Sequence, residues 1–231
     1  IYIIPRVNPD GSEAWTRRNP TSGDDMNRDH LLSLNPEIQM IHKAFLLFQP
    51  EVAIDGHEFS GGFVSSGDVA DDENGDLYLT NLDDVRISGS GSLNSEPTIN
   101  SKCNEMVYQA FDDCIKSGLR VFDYGATVAN VNGRAYYGLL NCYSFLIETR
   151  GIYLSKGVNF ERRVFAQYTT VKSMLHYVKD HSDEIISNVA RARDEVAKNG
   201  LHYSDDQLLV LQSAKSRTAG SGYTLPRPSF R

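Results

Sequence analysis

The feature that most constrains this chain is a rhythm. Short apolar runs of strand type alternate with longer stretches whose apolar residues recur at helical spacing. Strands separated by helix-length crossovers pair in parallel. The order therefore predicts an α/β fold, a mixed and mostly parallel twisted sheet with helices on both faces. Ile1 to Val7 reads as a first strand, ended by a turn at Asn8-Pro9-Asp10-Gly11. Pro36 to Phe48 reads as a helix, with Asn35 placed to cap it, Pro36 at its first position, and Ile38, Ile41, Phe45 and Phe48 on one stripe. Glu51 to Asp55 reads as a short buried strand that runs into a glycine-rich segment. Ser101 to Ser117 is expected to be a helix closed by Gly118, Leu119 to Phe122 a strand, and Tyr124 to Leu140 a glycine-containing loop. Asn141 to Ile147 returns as a strand. Two helices follow, one carrying Phe160, Val164, Tyr168, Val171, Leu175 and Val178 on one face, the other from about Asp183 to Lys198.

These boundaries suggest one domain over residues 1–199, with a tail or linker over 200–231. Residues 68–99 are acidic and then Gly/Ser-rich, which reads as an exposed loop insertion. The acidic run Asp71-Asp72-Glu73-Asn74-Gly75-Asp76 is a poor calcium loop, because an EF-hand frame puts Ala70 where the first carboxylate belongs. The chain opens directly on strand-like residues with no leader ahead of them, so it is expected to begin inside a longer protein and to hold part of an active site.

Composition removes several classes of function. No apolar run reaches the roughly 18 to 20 residues of a membrane-spanning helix. With 30 acidic residues against 23 basic ones and no sizeable basic patch, the chain has no general attraction to nucleic acid. Three cysteines, Cys103, Cys114 and Cys142, cannot all pair with one another and are read as buried free thiols.

Three polar clusters fall at strand ends or in the loops after them: Arg17-Arg18 with Asn27-Arg28, then Asp55-Gly56-His57-Glu58, then Glu148-Thr149-Arg150. Ligands of open α/β sheets bind at the carboxyl ends of the strands, so convergence of these clusters is the expected site. They bring guanidinium groups suited to a carboxylate or oxyanion, an imidazole able to bind a metal, and a carboxylate able to move a proton. Glu58 is set aside as a second metal ligand because neighbouring strand residues point to opposite faces. Arg18 and Arg150 fit either a supporting role at the site or ordinary ion pairs. His30, close behind Arg28, either lines the site or, as the favoured expectation, serves a helix or loop, and His42, His176, His181 and His202 are expected to be surface or packing residues.

Five segments, in order, then carry a resemblance. Asn8-Pro9-Asp10-Gly11, Trp15-Thr16-Arg17-Arg18-Asn19, Asp25-Met26-Asn27-Arg28-Asp29, Pro50…Ile54-Asp55-Gly56-His57 and Phe145-Leu146-Ile147-Glu148 resemble the zinc carboxypeptidase family (M14) over Ile1 to about Gly151. The variant Asn27-Arg28-Asp29-His30 and the run Glu148-Thr149-Arg150-Gly151 look most like a poorly characterised bacterial branch. The resemblance implies a carboxypeptidase-like fold lacking its first strands and helices. It implies zinc-dependent hydrolysis of C-terminal peptide bonds, with His57 as a Zn2+ ligand, Glu148 as general base and Arg17 stabilising the oxyanion. Asn27 and Arg28 would bind the substrate's terminal carboxylate, Arg134 beside Gly133 would line the pocket for the terminal side chain and favour an acidic one, and Tyr124 is the nearest match for a substrate-capping tyrosine, with Tyr136 and Tyr137 as alternatives.

The family takes two further zinc ligands from a His-x-x-Glu motif upstream of the Asn-Pro-Asp-Gly turn. The remaining ligands are therefore expected upstream of Ile1, since His57 alone cannot hold a catalytic zinc. The expected partner is a peptide or N-acyl amino acid with a free carboxylate, in a periplasmic or secreted setting. Two alternatives keep the same residues: a deacylase or peptidoglycan-peptide amidohydrolase, and a metal-free, non-catalytic carboxylate-binding relative.

Overall fold

A computed structural model describes residues 1–60, 69–71, 77–79, 83–125, 131–151 and 160–201. Its helices are α1 (Pro9–Glu13), α2 (Pro36–Phe48), α3 (Pro97–Lys116), α4 (Gly133–Leu139), α5 (Phe160–Asp180) and α6 (Ser182–Asn199), with a 3-10 turn over Met26–Arg28. Its strands are β1 (Val52–Ser60), β2 (Val69–Asp71), β3 (Leu77–Leu79), β4 (Val85–Gly89), β5 (Val121–Asp123) and β6 (Tyr143–Gly151). Four of them form one sheet in the order β1-β6-β4-β5, with β1–β6 and β4–β5 parallel and β6–β4 antiparallel. The expected α/β class with a mixed, mostly parallel sheet is what the molecule has.

The strand period of two divides this sheet into two working faces. On one, Ile54 of β1, Tyr143, Phe145 and Ile147 of β6, and Val85 and Ile87 of β4 pack against α3, α5 and α6 in the main core. The opposite face bears Ala53, Asp55, His57 and Phe59 of β1 with Ser144, Leu146, Glu148 and Arg150 of β6. Beneath it lie α4 and, through a second cluster of Ile38, Ile41, Phe45, Tyr137 and Cys142, α2. This alternation delivers His57 and Glu148 to the same surface.

Four elements differ from the expectation. Ile1–Val7 forms no strand, and Ile1, Tyr2 and Ile3 are exposed. Apolar β-branched residues raise strand propensity, but a strand needs a ladder partner, and none of the described strands pairs with this segment. Asn8–Gly11 opens α1 instead of making a simple turn, because Asn8 accepts from Gly11 N at 2.9 Å and Pro9 suits the first helical position. The stretch 68–99 is not wholly an exposed insertion: Val85–Gly89 is an interior strand of the sheet, with Val85 and Ile87 fully buried. Residues 72–76, most of the acidic run, lie outside the described residues, as does the tail from 202. Finally, the Tyr124–Leu140 loop contains α4, capped by Asn132, whose side chain accepts from Ala135 N.

The three cysteines are free and buried, as expected. Among the described residues no helix is long and apolar enough to cross a membrane.

At the start of β4, two buried carboxylates bind four arginines. Asp84 accepts from Arg120 Nε and Nη2 at 3.1 and 3.0 Å and from Arg162 Nε and Nη2, both at 2.7 Å. Asp83 accepts from Arg86 Nε at 2.6 Å and lies 3.7 Å from Arg150 Nη2. Burial alone would raise the Asp84 carboxyl, but its hydrogen bonds from Arg162 and Arg120 hold it well below the ordinary carboxylate value. A depressed folded-state value stabilises the fold above the unfolded-state value and loses that stability as the pH falls through the folded one. Asp84→Asn is therefore expected to cost about 2–4 kcal/mol at pH 7. The wild-type advantage should shrink as the pH falls below about 4. Urea unfolding of both proteins across that range checks it, and equal stabilities at pH 7 would contradict it.

Candidate active site

Asn27 is placed by the loop that contains it. Asp29, buried two residues later, accepts from Leu34 N, Asn35 N and Asn35 Nδ2, which folds residues 29–35 back on themselves. Asp25 accepts from Asn27 N at the head of the 3-10 turn. Asn27 then spans two elements: its Oδ1 accepts from Gly133 N at the start of α4 at 2.9 Å, and its Nδ2 lies 3.2 Å from His57 Nε2.

His57 and Glu148 stand directly opposite each other in the parallel β1–β6 register, side by side on the site face. Asp55, two residues before His57 and on the same face, puts Oδ2 2.9 Å from His57 Nε2. The charge-assisted contact to Asp55 takes the ring proton. Burial lowers the imidazole's pKa, but the hydrogen bond and charge of Asp55, joined by the charge of Glu148 and opposed by Arg17, leave it above its ordinary value. In metal-free protein the His57 ring is thus expected to titrate above about 6.5, and Asp55→Asn to move it below, because only burial and Arg17 then remain against Glu148. A pH titration of the His57 ring signals by NMR reads both shifts.

His30 and His42 form a buried pair that the sequence did not reveal. His30 Nδ1 lies 3.1 Å from His42 Nε2, and Ser33 Oγ lies 3.2 Å from His42 Nδ1. His42 also stacks on Tyr136 at 4.1 Å between ring centroids. Burial lowers the His30 pKa to about 4 against the pull of Asp55, so this ring is neutral at pH 7. Gly133 fits between the two groups, since a Cβ there would sit 3.0 Å from Asp55 Oδ2 and 3.1 Å from His30 Nε2.

Arg134 is 4% exposed on α4. Its Nη1 donates to Gly125 O at 3.3 Å, while its buried Nε has no partner among the described residues. Burial pushes this guanidinium down, opposed by Tyr124, Glu148 and Asp55, and it stays charged. One cavity is lined by Asn27, Arg28, His57, Tyr124, Arg134 and Glu148 together, and it also reaches Arg17. Asn27, Asp55, His57 and Glu148 are thus brought together by direct contact and strand register, whereas Arg18 and Arg150 make their contacts elsewhere.

Other placements limit individual assignments. Arg17 turns to Asp25, with Nε and Nη2 at 3.0 and 2.7 Å from Oδ2, so it is engaged elsewhere in this conformation. Arg28 is exposed, with Nη1 donating to Asn27 O at 2.7 Å. Tyr124 is half-exposed at the cavity rim, whereas Tyr137 is buried and stacked on Phe45. Glu58 points to the opposite face and pairs with Arg163 of α5, as the strand alternation required. Arg150 donates to Asp83 O, an ordinary structural contact. Arg18 Nη1 donates to Gly23 O at 2.8 Å within its own loop.

The donor set does not fit a complete zinc centre. Among the described residues no three His, Cys, Asp or Glu side chains are placed to hold an ion, and His57 Nε2 is already bonded to Asp55. A His-x-x-Glu spacing does occur at His181…Glu184, but Glu184 pairs with Lys102 of α3, which packs on the sheet face opposite His57.

No family model matches the chain. A probable carboxypeptidase 2 of Trichophyton verrucosum (strain HKI 0517) is 30% identical over 225 residues, 89% of this chain and 41% of that protein. Carboxypeptidase 2 of Trichophyton tonsurans is also 30% identical, over 83% of this chain and 36% of its own length. A metallo-carboxypeptidase from Burkholderia cenocepacia has the same fold, with a TM-score of 0.54 at 18% identity over 77% of this chain and 44% of that one. A putative carboxypeptidase A from Shewanella denitrificans OS-217 gives a TM-score of 0.52 at 17% identity.

Sequence and fold agree on an α/β carboxypeptidase-type chain. The chain belongs to the carboxypeptidase family that these relatives represent, and it spans about two-fifths of the length of the curated relatives it matches. Those relatives are fungal, so the expected bacterial branch does not follow from them.

Proposed function

We propose that this chain carries the substrate-binding part of a carboxypeptidase site that hydrolyses the last peptide bond of its substrate. The observation that carries this reading is the cross-strand pair His57–Glu148 in one cavity with Asn27, Arg28 and Arg134. Glu148 serves as the base that takes a proton from the attacking water. Asn27 and Arg28 hold the substrate's terminal carboxylate, and Arg17, once released from Asp25, faces the oxyanion. Tyr124 at the rim closes over bound substrate. Zinc enters this reading only if polypeptide outside these 231 residues supplies ligands that join His57, so no step is routed through it here. The periplasm or an extracellular setting suits such an enzyme.

Arg134 gives the reading a substrate preference. Arg134 is a buried guanidinium whose Nε has no hydrogen-bond partner among the described residues, which favours a ligand anion there and hence an acidic terminal residue. A peptide ending in glutamate is expected to bind about tenfold more tightly than its leucine counterpart, and Arg134→Met to abolish the difference. Calorimetry with the two peptides, and with their C-terminally amidated forms as controls, tests this. A clear preference for leucine sinks the Arg134 assignment. Binding that survives amidation sinks the C-terminal reading itself.

A second reading has its own observation. Because Asp55 already occupies His57 Nε2, the same residues also describe a metal-free protein that binds carboxylates without turnover. Peptide or N-acyl amino acid hydrolysis by the longer protein, abolished by a chelator and restored by zinc, excludes it.

A further inference from the structure

His30 and His42 are buried, and each ring is also pinned by an aromatic neighbour. His42 lies nearly parallel to Tyr136, while His30 meets Tyr137 edge-on. Burial lowers both imidazoles below their ordinary value, so both rings are neutral at pH 7. The bond between them joins two ring nitrogens, His30 Nδ1 and His42 Nε2, so one carries the proton and the other does not. The far nitrogen of each neutral ring then takes the opposite state. The chain from Ser33 Oγ to His30 Nε2 therefore has only two consistent proton arrangements.

Asp55 decides between them. His30 Nε2 and Asp55 Oδ2 flank Gly133, 3.1 and 3.0 Å from where its Cβ would stand, and both side chains line the site cavity. If His30 donated to His42, a nitrogen lone pair would be turned toward the carboxylate. The other arrangement turns an N–H to it: Ser33 Oγ donates to His42 Nδ1, His42 Nε2 donates to His30 Nδ1, and His30 presents Nε2–H. Burial acts most strongly on the His30 ring, and Asp55 is the strongest of the charges that oppose it.

A carboxylate in this wall is a liability for a cavity read as binding carboxylates. Asp55 is engaged with His57, yet it shares the cavity with Asn27, Arg28 and Arg134, the groups assigned above to the terminal residue. An N–H dipole beside it offsets part of that charge. The backbone keeps the dipole in place, since His30 N donates to Val131 O at 3.2 Å and Gly133 N donates to Asn27 Oδ1 at 2.9 Å.

We propose that His42 is a positioning residue for substrate binding: it holds His30 as an Nε2–H donor turned to Asp55, so that the cavity keeps a carboxylate for His57 without repelling the acidic end of a peptide. This rests on the carboxypeptidase reading above and extends it to two residues that reading does not use.

Proton–nitrogen correlation NMR of the chain at about pH 7.5 reads the tautomers, and both His30 and His42 are expected to carry their proton on Nε2. Calorimetry, with chelator present, then compares N-acetylated peptides ending in glutamate and in glutamine. In His42→Leu the His30 Nδ1 loses its donor, and a buried acceptor without a partner drives the ring to turn. The glutamate peptide is expected to bind this variant about fivefold less tightly and the glutamine peptide less than about twofold, because only the former brings a second charge near Asp55. His42→Gln, whose amide can donate in place of the ring, should restore both. Equal losses for the two peptides in His42→Leu, no loss for either, or a His42→Gln that behaves like His42→Leu overturns the proposal and leaves the carboxypeptidase reading intact. So does a His30 proton on Nδ1 in unsubstituted protein, a result that stands even if His42→Leu fails to fold. Absence of binding by either peptide, or binding that ignores C-terminal amidation, overturns both.

Discussion

Glu148→Gln is expected to lower kcat for peptide hydrolysis by about 10³-fold, within the range of a lost general base. Glutamine keeps the shape and hydrogen-bonding reach of the side chain but cannot accept a proton from water. Glu148 sits in the middle of its cross-strand row, between His57 and Arg86, so the substitution leaves the wall of the cavity in place. The loss should therefore appear in kcat with KM changed by little, which separates a transition-state role from one in substrate binding. The size corresponds to about 4 kcal/mol of transition-state stabilisation. Steady-state kinetics on one peptide decide the matter. A variant that keeps kcat within a few-fold of the parent assigns the proton transfer to another group.

Phe145→Ala is expected to cost about 3–5 kcal/mol of stability, a large share of the 5–15 kcal/mol that a domain has to lose. Phe145 is fully buried on β6, between Ile54 of β1 and Gly89 of β4, and faces the core shared with α3, α5 and α6. The strand is held on both sides, so it cannot easily collapse into the space left behind. Leu146→Ala, one residue on, removes a side chain of similar apolar character from the opposite face. Leu146 lines the cavity, where water can fill the gap, and the expected cost is nearer 2 kcal/mol. Denaturant unfolding of the pair checks both the magnitudes and the assignment of faces. Equal costs would contradict the division of the sheet.

The sequence was most legible where a single physical signal was strong. Pro36–Phe48 is a helix with the expected bounds, although Asn35 makes no side-chain capping bond and Phe48 is exposed, and the two C-terminal helices are present where expected. The face of the first of them differs from the one expected: Phe160, Val164, Tyr168 and Leu175 are exposed, and the smaller Ala166, Thr169, Thr170 and Ser173 are buried with Met174 and Tyr177 instead. Apolar runs lead into Glu148 and His57, which the sequence therefore puts at strand ends; both strands in fact continue three residues beyond them, to Gly151 and Ser60. Val85–Gly89 was obscured by the Ser88-Gly89-Ser90-Gly91-Ser92 composition, which normally marks a linker. Its glycine has a packing reason, since a Cβ on Gly89 would come 2.9 Å from Cys103 Cβ. In α4, Gly133 and Gly138 lower helix propensity, yet both are pressed against side chains: Gly138 against Ser90, Gly133 against Asp55 and His30. Tertiary contact overrode local preference in each case. The partnership of Asp55 with His57 was within reach, because residues two apart on a strand share a face. The pairing of His30 with His42 was not, since it depends on a loop folded around Asp29. The direction of Arg17 toward Asp25 is equally a matter of loop geometry.

The alternation along β6 makes its numbering a functional quantity. Tyr143, Phe145 and Ile147 serve the core while Ser144, Leu146 and Glu148 serve the cavity, on one continuous run paired on both sides. Deleting or inserting one residue ahead of Glu148 would slip the strand by half a pleat. It would drive the carboxylate into the apolar layer under α3 and α5 and turn Ile147 out toward the substrate. Stability and chemistry would fail in one event. A change in the length of the strand ahead of Glu148 keeps this division of faces only in steps of two.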